Sequence, residues 1–311
     1  MKGVEQVRFG KNGADANSAA IRIARHHTKK DIILFCGYHG WHDWYIGQTT
    51  RNYGIPNTIS KLTDRFIYND LNSLTKSFKK HNNNVAAVIM EPMNIDYPDK
   101  DFLKKVKDIC KKNNSLLIFD EIITGFRFSL GGAQKLFNIT PDLTTFGKGL
   151  SNGFPLSAVT GSRKYMKHLD KIFFSTTQGT EVSSLAASRS SIKKFKDKKI
   201  DLYLIKIGNY LIKKFNSMIS ELKIEHLVSI KGHPSWTFII FNQFENMDQN
   251  LIKSFFIEQC IEKNILCLGT HNLTYSHTYK DIDYLIKNYY QIFDELNNNI
   301  KNKKLENKIK G

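Results

Sequence analysis

Short unbroken apolar runs alternate with helical patterns through the first half of the chain. These runs and other β-prone segments predict strands at residues 6–9, 32–36, 85–90, 116–119, 143–146 and 155–160, of which 32–36, 85–90 and 116–119 are apolar throughout and therefore buried. After the first run, small apolar residues recur at helical spacing, as at Ala16, Ala20 and Ile23. This alternation of strand and helix predicts an open α/β sheet, whose sites lie at the C-terminal ends of the strands.

The pattern changes towards the C-terminus. A helix near residues 182–194 and a long amphipathic helix lead into strands predicted at 227–231, 236–241 and 265–268. A helix precedes the last of these strands, and a final helix begins at Thr278, with Asp281 placed to cap it, and ends near Leu296. We therefore predict a large domain over residues 1–225, a small α+β domain over 226–296 and a flexible tail over 297–311.

Composition narrows the class of protein. The 311 residues are 41% hydrophobic and carry a net charge of +17, but the lysines are scattered and form no recognised nucleic-acid motif. No run of about 18 apolar residues occurs, so no membrane span is predicted. The N-terminus lacks the apolar core of a signal peptide, and the four cysteines form no CxxC pair. We expect a cytoplasmic protein with reduced cysteines and no metal, nucleic-acid or membrane partner.

The segment from Leu116 to Pro155 carries the most specific chemistry. One predicted strand ends in Asp120, and the next is followed by Lys148 between two glycines. A lysine whose pKa is lowered can form a Schiff base with an aldehyde, and a carboxylate can keep a pyridine nitrogen protonated. These residue types suit pyridoxal phosphate, although a lysine beside glycine is also typical of a simple turn.

Two further segments are open to two interpretations. The turn Gly10-Lys-Asn-Gly13 leads into a helix whose free N–H groups could bind a phosphate, but glycines also serve such turns for their conformation alone. The loop GYHGWHDWY, from Gly37 to Tyr45, could stack on a flat cofactor or could pack on its own aromatic side chains. Its histidines do not have the spacing of a metal site.

Together these residues resemble a known family. FDEIITGFR, at residues 119–127, is similar to the FDEVxTGFR motif of class III, fold-type-I aminotransferases, and PD with TTFGKG resembles the lysine segment of that family. GYHGWHD, NGAD, STTQGTEVSSLA and SHTYKDID resemble further family segments in the same order. The matches span about residues 5–296, and the branch they resemble most is that of glutamate-1-semialdehyde aminomutase.

The resemblance implies a fold, a cofactor and a set of residue roles. It implies a large, mixed and mostly parallel sheet domain with a smaller C-terminal α+β domain, and pyridoxal 5'-phosphate as the cofactor. Lys148 would form the Schiff base and move the proton, and Asp120 would pair with the pyridine nitrogen. The other cofactor contacts would be Gly13 and Ala14 on the phosphate, Tyr38 and Ile122 on either side of the ring, and Thr180 on the phosphate of the partner subunit. Glu91 and Arg127 would have supporting roles.

The implied activity is that of an aminotransferase or aminomutase working as a homodimer on a small amino-acid-like or amino-aldehyde substrate. Two alternatives stay open: an aminotransferase for sugars or secondary metabolites, and an inert subunit that binds the cofactor. Ala14 departs from the family because it replaces the usual Thr or Ser, which removes one hydroxyl contact to phosphate. Family members also extend upstream of the first strand, so we expect the chain to lack an N-terminal region.

Overall fold

The computed structural model describes residues 1–244 and 248–302. Contacts between residues group the chain into two units. We call Met1–Asn94 with Pro98–Lys199 the large unit, and Ile95–Tyr97 with Ile200–Gly311 the small unit.

The large unit is built from seven strands and eight α-helices within the described residues. In chain order the elements are β1 Gln6–Gly10, α1 Gly13–Thr28, β2 Ile32–Cys36, α2 Asp43–Ile46, α3 Asn57–Ser60, β3 Thr63–Arg65, α4 Leu71–Lys80, β4 Val85–Met90, α5 Phe102–Lys112, β5 Leu116–Asp120, α6 Gly132–Leu136, β6 Leu143–Phe146, β7 Ser157–Gly161, α7 Arg163–Met166 and α8 Val182–Asp197. Strand β3 and the helices α3 and α4 lie in a polar stretch for which the hydrophobic pattern predicts no strand or helix.

The seven strands form one mixed sheet in the order β1-β7-β6-β5-β4-β2-β3. From β6 to β3 all neighbours are parallel, and β7 runs antiparallel to both β6 and β1. The predicted mixed, mostly parallel sheet is therefore confirmed. It brings the C-terminal ends of β4, β5 and β6 to one edge.

Burial on both faces explains why the central strands are continuously apolar. All six residues of β4 and all five of β5 are buried. On one face, Ala20 and Ile23 of α1 pack with Ile89 and Ile118. On the other, side chains of α4 and α5, such as Leu74, pack in a separate cluster. The two layers of helices enclose the sheet as in other α/β folds.

The small unit combines three long helices with a three-stranded antiparallel sheet. Its elements are α9 Ile200–Glu221, β8 Val228–His233, β9 Trp236–Phe241, α10 Gln249–Glu262, β10 Thr270–Asn272 and α11 Tyr279–Lys301, with strand order β10-β9-β8. One core contains Phe215, Phe256 and Phe293, one from each helix. No helix in residues 1–244 or 248–302 has both the length and the hydropathy needed to cross a membrane.

Three expectations differ from the structure. The contact grouping divides the chain at Ile200 rather than near residue 225, because α9 packs its apolar face into the core of the small unit. The strand predicted at 265–268 is wrong: pairing with β9 starts only where Gly269 O accepts from Ile239 N at 2.8 Å, and β10 follows. The tail predicted at 297–311 is helical as far as Lys301, and residues 303–311 lie outside the described residues.

The predicted cap of the last helix is present, since Asp281 Oδ2 accepts a hydrogen bond from Thr278 N at 2.7 Å. The four cysteines are all buried and unpaired.

A buried histidine makes the stability of the small unit depend on pH. His271 Nδ1 lies 2.8 Å from Thr237 Oγ1, and His271 Nε2 lies 3.0 Å from the Tyr289 hydroxyl. Because that hydroxyl donates to Cys267 Sγ, it accepts from Nε2–H, which fixes a neutral tautomer. Burial lowers the pKa of His271 from 6.5 to about 4.

We therefore expect the free energy of unfolding to fall as the pH drops below 6.5, because only the unfolded chain then binds the proton of His271. The loss between about pH 7.5 and about pH 5 amounts to about 2 kcal/mol for this group. Urea unfolding at several pH values measures it. His271→Gln should flatten this slope, whereas His226→Gln, at an exposed position of the same unit, should leave it unchanged. Equal slopes for the two variants would contradict the assignment.

Candidate active site

A cavity of about 410 Å³ lies at the edge of the large sheet where the central strands end. Strand β5 ends at Asp120, Lys148 follows β6 after one residue, and α1 begins beside them. Six of the seven residues that the sequence assigned to a cofactor line this cavity: Gly13, Ala14, Tyr38, Asp120, Ile122 and Lys148. The seventh, Thr180, is exposed and does not belong to this lining.

Asp120 is 3% exposed and is held by hydrogen bonds on both oxygens. Its Oδ2 accepts from Asn17 Nδ2 and from His39 Nδ1, each at 2.8 Å, and its Oδ1 accepts from Ile122 N at 3.0 Å. These donors come from helix α1, from the loop after β2 and from the turn after β5. A buried carboxylate needs such partners, and here they also fix its orientation.

His39 has an acceptor on each side of its ring. Its Nε2 lies 3.1 Å from the carbonyl oxygen of Cys36, and its Nδ1 faces the Asp120 carboxylate. A carbonyl oxygen can only accept, and an ionised carboxylate can only accept. The two buried side chains lie 2.8 Å apart, and the ring, held on both sides, helps to fix the position of the carboxylate.

Asn17 is a functional residue that the sequence analysis did not identify. It is 1% exposed, and its amide donates to Asp120 and to the carbonyl oxygen of His39. Its own carbonyl oxygen accepts from Thr145 Oγ1 at 2.6 Å. Both amide hydrogens of the side chain and one lone pair of its oxygen are thus hydrogen-bonded. An asparagine among the apolar positions of α1 was the available signal.

Lys148 presents an amine to the cavity from a strained backbone. Its φ is +40°, a left-handed value that non-glycine residues rarely adopt and that occurs preferentially at functional sites. Its side chain remains accessible through the cavity, and its ammonium makes no hydrogen bond or salt bridge with residues 1–244 or 248–302. Removal of water by the surrounding walls lowers the pKa of Lys148, and the charge of Arg127 lowers it further, while Asp120 and Glu91 oppose the change.

Glu91 follows β4 and is a second buried carboxylate in the cavity wall. Its Oε2 accepts from Tyr38 N at 3.0 Å and from Asn94 Nδ2 at 2.8 Å. Burial raises the pKa of Glu91, and the nearby charge of Asp120 raises it further. The contact with the backbone of Tyr38 holds the base of a ring that is itself 58% exposed.

Glu121, next to Asp120 in the chain, faces away from the cavity. It is fully buried and accepts from Ala133 N at 2.6 Å, Gln134 N at 2.8 Å and Thr124 Oγ1 at 2.7 Å. It therefore fastens the start of α6 to the end of β5, and burial raises its pKa. Arg127 lies outside the lining of the cavity, and burial lowers the pKa of its guanidinium.

The start of α1 provides backbone donors in the wall of the cavity. In the part of the chain that the structure describes, the N–H groups of Gly13 and Ala14 have no acceptor, whereas Asp15 N bonds to the carbonyl oxygen of Asn12 at 3.1 Å. The N–H groups and the positive end of a 16-residue helix suit an anion. An anion site, a fixed carboxylate and an amine around one cavity match the phosphate, the pyridine nitrogen and the aldehyde of pyridoxal phosphate.

Within the described residues no group of three or more His, Cys, Asp or Glu side chains could hold a metal ion. The rings of the loop after β2 do pack on one another, with His39 and Trp44 stacked at 6.3 Å between ring centroids. Tyr38 meets Tyr45 edge-on at 5.6 Å and remains open on the side of the cavity. The loop thus contributes to the cavity and packs on itself.

Sequence comparisons identify relatives of this chain. A family model described as aminotransferase class-III matches residues 1–280. The 3-aminobutyryl-CoA aminotransferase of Cloacimonas acidaminovorans (strain Evry) is 34% identical over 293 residues, covering 91% of this chain and 69% of that protein. The glutamate-1-semialdehyde 2,1-aminomutase of Francisella philomiragia subsp. philomiragia is 37% identical over 223 residues, covering 67% of this chain and 51% of that protein. The chain therefore spans between 51% and 69% of the length of these two relatives.

Solved structures agree with the fold. The FumI protein of Sphingopyxis sp. MTA144, solved in its PLP internal aldimine form, superposes with a TM-score of 0.88 at 24% identity. The match covers 97% of this chain and 73% of that chain. The similarity confirms the fold class that the sequence predicted.

We expect Gly40→Ala to weaken cofactor binding. Gly40 has a φ of +103°, and a Cβ there would lie 2.7 Å from the Cβ of Ala14. The added methyl would displace the start of α1, and with it the N–H groups that face the cavity. A tenfold or larger rise in the Kd for pyridoxal phosphate, about 1.4 kcal/mol or more, is the expected result in an absorbance titration.

Gly54→Ala is the matched control. Gly54 also has a positive φ, +82°, but a Cβ there would meet nothing within 4 Å. This variant carries a similar backbone strain without the contact, so its Kd should equal that of the unmodified chain. An equal loss of affinity in both variants would show that the contact with Ala14 is not the cause.

Proposed function

The chain belongs to the class-III aminotransferase family, and from that premise we propose that it is a pyridoxal-phosphate-dependent aminotransferase or aminomutase. The observation that supports this most directly is the convergence of Asp120 and Lys148 on one cavity. The family membership indicates pyridoxal 5'-phosphate as the cofactor, in agreement with the sequence prediction.

Different residues of the cavity would hold different parts of this cofactor. When bound, the cofactor supplies an aldehyde and a protonated ring that withdraws electrons from the substrate. The N–H groups of Gly13 and Ala14 would bind its phosphate, and Tyr38 and Ile122 would enclose its ring. Asp120 would keep the ring nitrogen protonated, because its hydrogen bonds from Asn17 and His39 hold an ionised carboxylate in place.

Lys148 would act twice in this proposal. Its lowered pKa increases the share of neutral amine near neutral pH, and only the neutral amine attacks an aldehyde. Once the substrate amine has taken its place, the released Lys148 amine would accept a proton from one carbon and return it to another. The glycines on either side, Gly147 and Gly149, leave room beside this lysine for a flat ring; a Cβ at Gly147 would lie 3.1 Å from Ile122 Cδ1.

The relatives favour a substrate that carries an amino group on a short carbon chain. One is named for 3-aminobutyryl-CoA and the other for glutamate-1-semialdehyde. We propose an amino-acid-like or amino-aldehyde substrate for this chain as well. The two names differ in reaction: an aminotransferase passes the amino group to a separate acceptor, and an aminomutase moves it within one molecule.

We further propose that the enzyme is a homodimer with composite sites. Thr180 is exposed and lies outside the cavity of its own chain, which suits a contact with the cofactor of a partner subunit. Large apolar side chains on the surface of the large unit support an interface: Phe173 is 82% exposed and Trp41 is 71% exposed. The four buried, unpaired cysteines support a reducing compartment such as the cytoplasm.

Borohydride trapping tests the role of Lys148. Incubation with pyridoxal phosphate followed by reduction should attach the cofactor to Lys148, which peptide mass spectrometry locates. Because the pKa of Lys148 is lowered, trapping there should persist as the pH is brought down towards neutrality. Lys148→Arg keeps the charge and should abolish both the adduct and turnover. A wild-type chain without the adduct at Lys148 would refute the proposal.

A substrate comparison separates the two reactions. With glutamate-1-semialdehyde as the only substrate, an aminomutase forms its isomer, whereas an aminotransferase needs an amino donor and a keto acceptor in the same assay. We expect turnover in one of these two assays. Turnover with keto-sugars alone would replace the proposed substrate class.

A further inference from the structure

Lys11 lies in the cavity wall but is fully engaged by the protein. Its Nζ donates to the carbonyl oxygen of Pro155 at 2.9 Å and to Glu181 Oε1 at 2.9 Å, and it reaches Ser184 Oγ at 3.5 Å. An ammonium has three protons, and each has an acceptor here. Lys11 is therefore placed to connect segments of the chain rather than to serve as a free ligand for an anion.

Glu181 is engaged just as completely on the other side of this ion pair. It caps helix α8, since Oε2 accepts from Ser183 N at 2.8 Å and Oε1 accepts from Ser184 N at 3.0 Å. Hydrogen bonds from Ser184 and Lys11 lower the pKa of Glu181 to about 2. The carboxylate thus stays charged throughout the physiological pH range, and the pair persists with it.

The segment before Glu181 is a tight loop on strand β1. Gly179 N donates to the carbonyl oxygen of Thr176 at 2.9 Å. Gly179 is buried, and a Cβ there would lie 2.4 Å from Thr176 Oγ1 and 3.5 Å from the carbonyl oxygen of Phe9. Thr180 follows directly, with an exposed side chain, between this packed glycine and the capping glutamate.

The ion pair consequently joins two elements that are distant in sequence. Lys11 is two residues before Gly13, whose N–H faces the cavity, and Glu181 is one residue after Thr180. The side chains of Lys11 and Glu181 are only 15% and 27% exposed, so the pair is partly shielded from water and from salt. We call the group of Lys11, Pro155, Glu181 and Ser184 the Lys11 latch.

We propose that Lys11 is a positioning residue, and that the Lys11 latch holds the loop of Thr180 in a fixed relation to the start of α1. The inference rests on the proposed function, in which both elements bind cofactor phosphate, one within the chain and one across a dimer. The Lys11 latch then holds the two phosphate-binding segments of one chain, the start of α1 and the loop of Thr180, together as one rigid unit. A disturbance at the cavity of one chain is carried to the contact that this chain makes with its partner.

Hydrogen exchange without cofactor tests the latch itself. Lys11→Met and Glu181→Gln should each increase the exchange rate of the amides of the loop around Thr180 and of the first turn of α8. Lys193→Met is the matched control, because it removes the charge of an exposed ion pair with Asp197 on the same helix. Exchange in Lys11→Met that matches this control would overturn the proposal. Because this readout needs no cofactor, it stands even if the protein proves not to bind pyridoxal phosphate.

Cofactor titration of the same variants tests the consequence. For chains shown to be dimeric by light scattering, each single variant should raise the Kd for pyridoxal phosphate by about tenfold. The double variant should raise the Kd by less than the product of the two single effects, because both break the same pair. Multiplied effects in the double variant, or an unchanged Kd in Lys11→Met, would overturn the positioning role. Failure of the wild-type chain to bind cofactor refutes the proposed function instead, and leaves hydrogen exchange to decide on the latch.

Discussion

The hydrogen-bonded carboxylate of Asp120 is the interaction on which the candidate site depends. A charge at 3% exposure is costly unless it is paired and hydrogen-bonded. Its donors come from three segments far apart in the chain, with Asn17 on α1 and His39 in the loop after β2. Satisfying this carboxylate therefore requires that the helix, the loop and the strand all take their places, which links the site to the fold.

The adjacent carboxylates Asp120 and Glu121 point to opposite sides at the end of strand β5 and therefore have different roles. The side chain of Asp120 meets the cavity, and that of Glu121 turns into the protein to bind N–H groups at the start of α6. Both are buried and both are fully bonded. Asp120 lines the cavity and Glu121 holds the start of α6, although the two residues are neighbours in one sequence motif.

Much of this architecture could be predicted from the sequence because its signals are local. The apolar runs of β4 and β5 and the turn at Lys148 are each set by a few consecutive residues. The strand expected at 265–268 failed because strand pairing is decided by a neighbour, here β9, and not by apolar content. The contacts of Asn17, His39 and Lys11 could not be predicted. The Asp120 carboxylate that Asn17 and His39 contact is more than 20 residues away in the chain, and Lys11 donates to a backbone carbonyl oxygen, which no side-chain pattern reveals.

The ring of His39 has a consequence for the geometry of the cavity wall. The ring is held between the carbonyl oxygen of Cys36 and the carboxylate of Asp120. The carboxylate that faces the cavity is thus set in place before any ligand arrives, by a partner that is itself buried. The direction from which a ligand can approach Asp120 is therefore decided when the chain folds, and a molecule entering the cavity has to match it.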